Sequence, residues 1–483
     1  MGSIEVFDRQ LRLGWWGQEG QEKLRRTSLF IIADNPYAYI GAITAAAIGF
    51  GNIYLVGSRH VKNFRILFED FSGDFSRGTV RFVEKYLGRF LDDYSMRLES
   101  ISINLASNSA LRLVKNIIDT DESENKVILD LSTDLQVKLF VWKLMGLTGA
   151  ITYMAIFSEG VKLYALSDIV RGSTKRISSR KRPTWIARDM YARIQKQKTS
   201  RIPIEHLFLL ASGLLLGEVA LRIQGKFVVE GSETTKNFVP TAEIEFPFEE
   251  LPQLRSSPLT IRSIVVVGAG ALGTFYAIQL ATMINLGLLR VKEIIFVDPD
   301  TIELTNFNRQ VMYWGDTIGM PKAEVMAERF QKMVYGELIV KDEEARFEEI
   351  EDRLKNVSLI VEGVDTWAAR KEIARFAVKH RRPLISAGVS LLHGQETFYL
   401  PFRTYCPFHS MNLEEKEDPK VDESCLNIPP SVIFTNITLS SAAILTSIGA
   451  KYPLNGVLYY SLEGFYEKYR RFHVEKYQGS CGD

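Results

Sequence analysis

The residues best placed for chemistry lie in the second half of this 483-residue sequence. Gly268, Gly270 and Gly273 form a GAGALG turn after the apolar run Ile264 to Val267, and an apolar helical pattern follows. Glycines so placed let a phosphate approach backbone N–H groups at a helix N-terminus. A second apolar run, Ile294 to Val297, ends at Asp298, an acid placed to accept hydrogen bonds from a ribose. Asp300, Asn306, Arg309 and Gln310 follow in DPDTIELTNFNRQ. Lys322 opens a helical stretch in GMPKAEV, and Asp365 ends a strand in VEGVDTWAARKE, with Arg370 five residues on. Acids, a Lys and an Arg around one glycine turn suit a nucleoside triphosphate under attack. The cations neutralise charge developing on phosphates, and an acid can hold Mg²⁺. Hydride transfer needs no such clamp, which counts against an NAD-dependent oxidoreductase.

The elements that must position these residues recur earlier in the chain. Leu29 to Ile32 matches the first strand, and Ile53 to Val56 the second. Ala33-Asp34-Asn35-Pro36-Tyr37-Ala38 stands where the glycine turn should be, and Gly57 where Asp298 is. Lys126–Asp134 parallels Val357–Asp365, and Gly149–Ser158 parallels Arg382–Val389. Alternating strands and helices predict an α/β chain of two tandem Rossmann-like, doubly wound domains. The first copy has lost its nucleotide features: Pro36 removes an N–H, Tyr37 and Tyr39 fill space, and no acid ends the second strand. Expected boundaries are a first domain at 1–228, a Pro-rich acidic linker at 229–260 and an active domain at 261–483 with a loop at about 406–430. Residues 171–201 hold eleven Lys/Arg and one acid and read as a solvated loop and helix face.

Composition fits a globular protein, with 46% hydrophobic and 24% charged residues. A formal net charge of +1 points to neither nucleic acid nor a membrane. The apolar run Leu207 to Gly217 reads as a core helix too short to span a bilayer. Three cysteines suit a reducing, cytoplasmic setting.

The motifs GAGALG, DPDTIELTNFNRQ, GMPKAEV and EGVDTWAAR resemble the ThiF-type adenylating domain of the ubiquitin-activating enzyme superfamily, and FDRQLRL near the N-terminus is similar to that family too. The resemblance implies an internal pseudo-dimer of one inactive and one active ThiF-type domain within a monomer. It implies that the C-terminal glycine carboxylate of a ubiquitin-like protein attacks the α-phosphate of MgATP. In that scheme Asp298 holds the ribose, and Arg309, Lys322 and Arg9, an arginine finger, contact phosphates. Asp365 binds Mg²⁺, and Gly268, Gly270, Gly273, Asp300 and Asn306 complete the cofactor site. A thiolate then attacks the adenylate. Cys425 occupies the crossover position used by family members that lack a large cysteine domain, and a conjugating, E2-type enzyme would receive the thioester. Cys406, His409 and Cys481 fall where the family has a structural zinc site, one ligand short of four, so a degenerate site is expected. Adenylation alone, feeding sulfur transfer, and a non-catalytic scaffold remain as alternatives.

Overall fold

The structure, a computed structural model, describes residues 5–57, 59–168, 184–228, 235–237, 243–418, 431–465 and 470–480. Two compact units divide the chain, Met1–Phe246 and Pro247–Asp483. The strands of the first are β1 (Thr27–Ile32), β2 (Asn52–Val56), β3 (His60–Ile66), β4 (Glu69–Asp74), β5 (Arg97–Ile101), β6 (Asn125–Asp130), β7 (Ile151–Phe157), β8 (Val161–Ala165), β9 (Lys226–Val228), β10 (Thr235–Asn237) and β11 (Glu243–Phe246). Its main sheet runs β5-β2-β1-β6-β7 in parallel, extended by antiparallel β8 and β11.

The second unit holds β12 (Leu259–Val267), β13 (Leu289–Val297), β14 (Ile339–Glu343), β15 (Leu359–Glu362), β16 (Leu384–Ser390), β17 (His393–Tyr399), β18 (Gly456–Phe465) and β19 (Arg470–Lys476). Here β14-β13-β12-β15-β16 are parallel, and β17, β18 and β19 continue the sheet antiparallel. The two units therefore repeat one strand order, as the internal similarity predicts. The register repeats as well. Ile32 pairs with Val56 and Asp130, and Val267 pairs with Val297 and Glu362. The next amides, Ala33 and Gly268, each donate across to Val56 or Val297 at 2.9 Å. Gly57 and Asp298 thus occupy the same place in the two sheets.

Central strands read as continuous apolar runs because helices cover both faces. Every residue of β1 is buried, as is every residue of β15. The helix Tyr39–Ile48, YIGAITAAAI, is buried throughout because its small residues permit close approach to the sheet. The corresponding helix of the second unit is Ala271–Asn285, packed on the fully buried helix Ile433–Thr446.

Three expectations change. The segment 229–260 is not a free linker: β11 pairs with β8 as the edge of the first sheet, with Ile244 and Phe246 turned inward, and Leu254 bridges to Ala450 in the second unit. The basic stretch is not a solvated face throughout: the helix Thr184–Thr199 buries Ile186, Met190 and Ile194 in the first core. The run Leu207–Gly217 is part of a longer helical segment, Glu205–Gln224, whose 20 residues are apolar enough to cross a membrane by length and composition. Some 89% of its apolar window is buried inside the protein, as a core helix requires.

Candidate active site

The glycine turn connects β12 to the helix Ala271–Asn285. Gly268 has φ +91, and a Cβ there would lie 3.0 Å from the Gly363 carbonyl. A Cβ on Gly273 would lie 2.0 Å from the Gly268 oxygen. Packing within the chain thus demands both glycines. Gly270 differs: a Cβ there meets nothing within 4 Å. The space over Gly270 is open.

Asp298, buried at the end of β13, ties this turn down. Its Oδ2 accepts from the Ala269 amide at 2.6 Å, and its Oδ1 from the Asp300 amide at 2.9 Å. Each oxygen keeps a lone pair for a ribose hydroxyl. Burial raises the Asp298 pKa, and the charge of Lys322 opposes that rise. From below, the buried Tyr313 hydroxyl donates to the Ala269 carbonyl. Lys322 is the first residue of the helix Lys322–Met333. Its side chain is nearly buried, and Nζ lies 2.8 Å from Oδ2 of the exposed Asp300. The structure therefore brings the glycine turn, Asp298, Asp300 and Lys322 together.

Asn306 ends the adjoining 3-10 turn Leu304–Asn306, Arg309 lies in the turn that follows, and both are buried. Asn306 Oδ1 caps that turn by accepting from the Glu303 amide at 3.0 Å. Arg309 donates to the Thr305 carbonyl at 2.7 Å and to Asn308 at 2.9 Å. Both side chains are engaged in shaping the loop after Asp300.

Asp365 lies in the turn between β15 and the helix Trp367–His380. It is exposed and makes no hydrogen bond or ion pair among the described residues, so its carboxylate is available to a cation. Thr366 caps the helix behind it. Asp418 adds a second cap, accepting from the Trp367 and Ala368 amides at 2.7 and 3.0 Å.

Arg9 lies in the first unit, half-buried on the short helix Asp8–Leu11. Cys406 is buried in the core of the second unit, with Sγ 3.2 Å from His409 Nδ1. Among the described residues no group of three His, Cys, Asp or Glu is placed to hold a metal. Cys425 and Cys481 lie outside the described residues.

At the equivalent place in the first unit, Asp34 fills the turn. Its carboxylate accepts from the Thr133 and Asp134 amides at 2.7 and 2.8 Å. Gly57 replaces the acid, and a Cβ there would lie 1.8 Å from the Ala33 oxygen. Tyr37 and Tyr39 pack edge-on against Phe64 of β3.

Sequence reasoning did not find Glu362, Tyr313 or Asp418. The first of these had a signal: Asp130 and Lys138 repeat the spacing of Glu362 and Arg370.

The profile of the ThiF family matches residues 247–483. The second unit therefore carries a ThiF-family domain. It is 30% identical over 172 residues to the "NEDD8-activating enzyme E1 catalytic subunit" of Arabidopsis thaliana, covering 32% of this chain and 36% of that one. It is 26% identical over 239 residues to the "Probable molybdopterin-synthase adenylyltransferase" of Porphyra purpurea, covering 47% and 59%. It is 31% identical over 143 residues to the "SAMP-activating enzyme E1" of Haloferax volcanii, covering 29% and 49%. The chain thus spans between 36% and 59% of these relatives. These relatives are named as activating enzymes and as an adenylyltransferase.

The glycine geometry gives a sharp expectation for this ThiF-family turn. Gly270→Ala should melt like the parent protein yet bind a non-hydrolysable ATP analogue about tenfold more weakly, since its Cβ enters only the open space. Gly273→Ala should lower the melting temperature as well, because its Cβ forces the turn apart. Thermal unfolding with calorimetric titration of the analogue separates the two.

Proposed function

We propose that this protein activates the C-terminal carboxylate of a small ubiquitin-like or sulfur-carrier protein as an acyl-adenylate. The observation that carries this reading is Lys322, nearly buried beside Asp298 and the glycine turn, with space left open over Gly270. The carboxylate oxygen of the carrier bonds to the α-phosphorus of ATP while the bond to the β-phosphate oxygen breaks, so pyrophosphate leaves with its electron pair. Asp298 accepts from the ribose, and the turn amides and Lys322 hold the phosphates. Asp365, exposed and available, would hold Mg²⁺, which shields the phosphates when bound.

On the finer reading, the Cys425 thiolate then attacks the adenylate carbonyl, AMP leaves, and the thioester passes to a conjugating enzyme. The similarity to an adenylyltransferase, the longest of the three alignments above, favours a second reading in which the adenylate goes directly to sulfur transfer.

ATP–pyrophosphate exchange with a candidate carrier tests the common step. Exchange that depends on the carrier and drops at least tenfold in Asp365→Asn supports adenylation, and its complete lack with a genuine carrier overturns it. A non-reducing gel then divides the two readings. A thiol-sensitive carrier adduct lost in Cys425→Ala supports the thioester, whereas exchange without any adduct favours sulfur transfer.

A further inference from the structure

Both units carry a buried acid–base pair at the same place. Asp130 ends β6, and Lys138 Nζ stands 3.0 Å from its Oδ1. Glu362 ends β15, and Arg370 Nη1 stands 2.5 Å from its Oε1. In each unit the base lies eight residues after the acid, on the following helix. All four side chains are at most 5% exposed. Since the first unit has lost its nucleotide features, the pair itself belongs to the fold.

The two bases differ in reach. An ammonium is a compact point charge, whereas a guanidinium presents a rigid fork of donors. Lys138 is paired with Asp130, whose oxygen also takes the Ser132 amide and hydroxyl. Arg370 spreads further. Nη1 also reaches Ser386 Oγ at 3.1 Å and the Ala387 carbonyl at 2.9 Å, and Nη2 donates to the Val364 carbonyl at 2.8 Å. Val364 directly precedes Asp365. Strand register sets Thr133 at the place of Asp365 and Asp134 at the place of the helix cap Thr366, one residue off the pairing read from the sequence.

We propose that Arg370 is a positioning residue for Asp365: through the Val364 carbonyl it fixes the turn that presents this carboxylate to a divalent cation. The arginine fork occurs in the unit whose turn acid, Asp365, is exposed, and a lysine serves in the unit whose turn acid, Asp134, is spent on capping the helix. The inference rests on the function proposed above, and its test reads binding rather than turnover.

Arg370→Lys keeps the ion pair, as Lys138 does in the first unit, but gives up the tie to Val364. Calorimetric binding of α,β-methylene ATP across a Mg²⁺ series should show the half-saturating Mg²⁺ concentration raised about tenfold in Arg370→Lys, the scale on which residues supporting a metal ligand act. Glu362 Oε2 also accepts from the Val364 amide at 3.3 Å, so the control is Ser386→Ala. It removes a hydroxyl that touches both members of the pair but not Val364, and it should leave that concentration within twofold of the parent. Lys138→Arg, in the first unit, should do the same. An unchanged Mg²⁺ requirement in Arg370→Lys overturns the inference. So does an equal shift in Ser386→Ala, which would place the effect in the buried pair rather than in the tie to Val364. If Arg370→Lys does not fold, the inference also falls, because it holds that the ion pair alone sustains the fold. A parent protein that binds no nucleotide at all would instead sink the adenylation reading.

Discussion

Replacing Lys322 with Met is expected to lower ATP–pyrophosphate exchange by about 10²–10³-fold, the usual effect of deleting one preorganised group that stabilises developing charge. The geometry explains so large a loss. Lys322 is held by its backbone as well as its side chain: its amide donates to the Asp300 carbonyl at 2.9 Å, and its Nζ meets the Asp300 carboxylate at 2.8 Å. The cation is therefore in place before any phosphate arrives, and little reorganisation opposes its action. Its removal also leaves Asp298 and Asp300 facing the phosphates without a counter-charge. Asp300 is 64% exposed in its side chain, so water screens its charge and Lys322 can meet a more highly charged ligand without leaving its place. Exchange kinetics measured with saturating carrier check this, and a loss smaller than threefold would remove Lys322 from the reaction.

The second large effect concerns stability, at a residue given no part in the proposed chemistry. Glu396 on β17 is completely buried, with Oε1 2.6 Å from the Thr446 hydroxyl and Oε2 unpartnered. Burial pushes its pKa from 4.5 up to about 8, the Thr446 hydrogen bond opposing. The folded state therefore keeps a proton that the unfolded chain has already released. Stability linked to this group is fully present below pH 4.5 and is lost as pH rises through about 8. The loss runs at about 1.4 kcal/mol per pH unit across that window. Glu396→Gln has no such titration. Its stability advantage over the parent should be near zero at pH 4 and grow to on the order of 4 kcal/mol by pH 9. Hydrogen exchange of the helix Ile433–Thr446 at several pH values reads the effect locally, and parallel pH profiles for the two proteins would refute it.

Much of the fold was legible because duplication supplies its own alignment. The glycine turn, Asp298 and the failed copy at Ala33–Ala38 could be placed in register before any coordinates, and strand pairing puts Gly57 and Asp298 at the same step. Other features depend on contacts that no local pattern encodes. Asp418 is one acid among several in an acidic stretch, and only the fold brings it to the Trp367 and Ala368 amides. The stretch at 229–260 looked like a linker because proline and acid content dominated its composition. Its EIEF alternation, which buries Ile244 and Phe246 against β8, was a weaker signal within it. Cys406 and His409 are spaced as metal ligands often are, yet Cys406 packs in the apolar core beside Met411 and Leu413. Such spacing alone does not distinguish ligation from packing.

Asp34 has a thermodynamic consequence for the chain as a whole. Its carboxylate, bound to two amides where the second unit keeps an open turn, is an anion supplied by the sequence itself, present at every concentration of solute. The loop that Asp34 holds in the first unit is thus closed without any dissolved partner. The second unit, if it binds nucleotide, gains stability as RT ln(1 + [L]/Kd), about 2.7 kcal/mol when ligand stands at a hundred times its dissociation constant. If the first unit binds none, one architecture would then recur in a single polypeptide with unequal dependence on the chemical potential of a ligand, one half constant and the other tracking it.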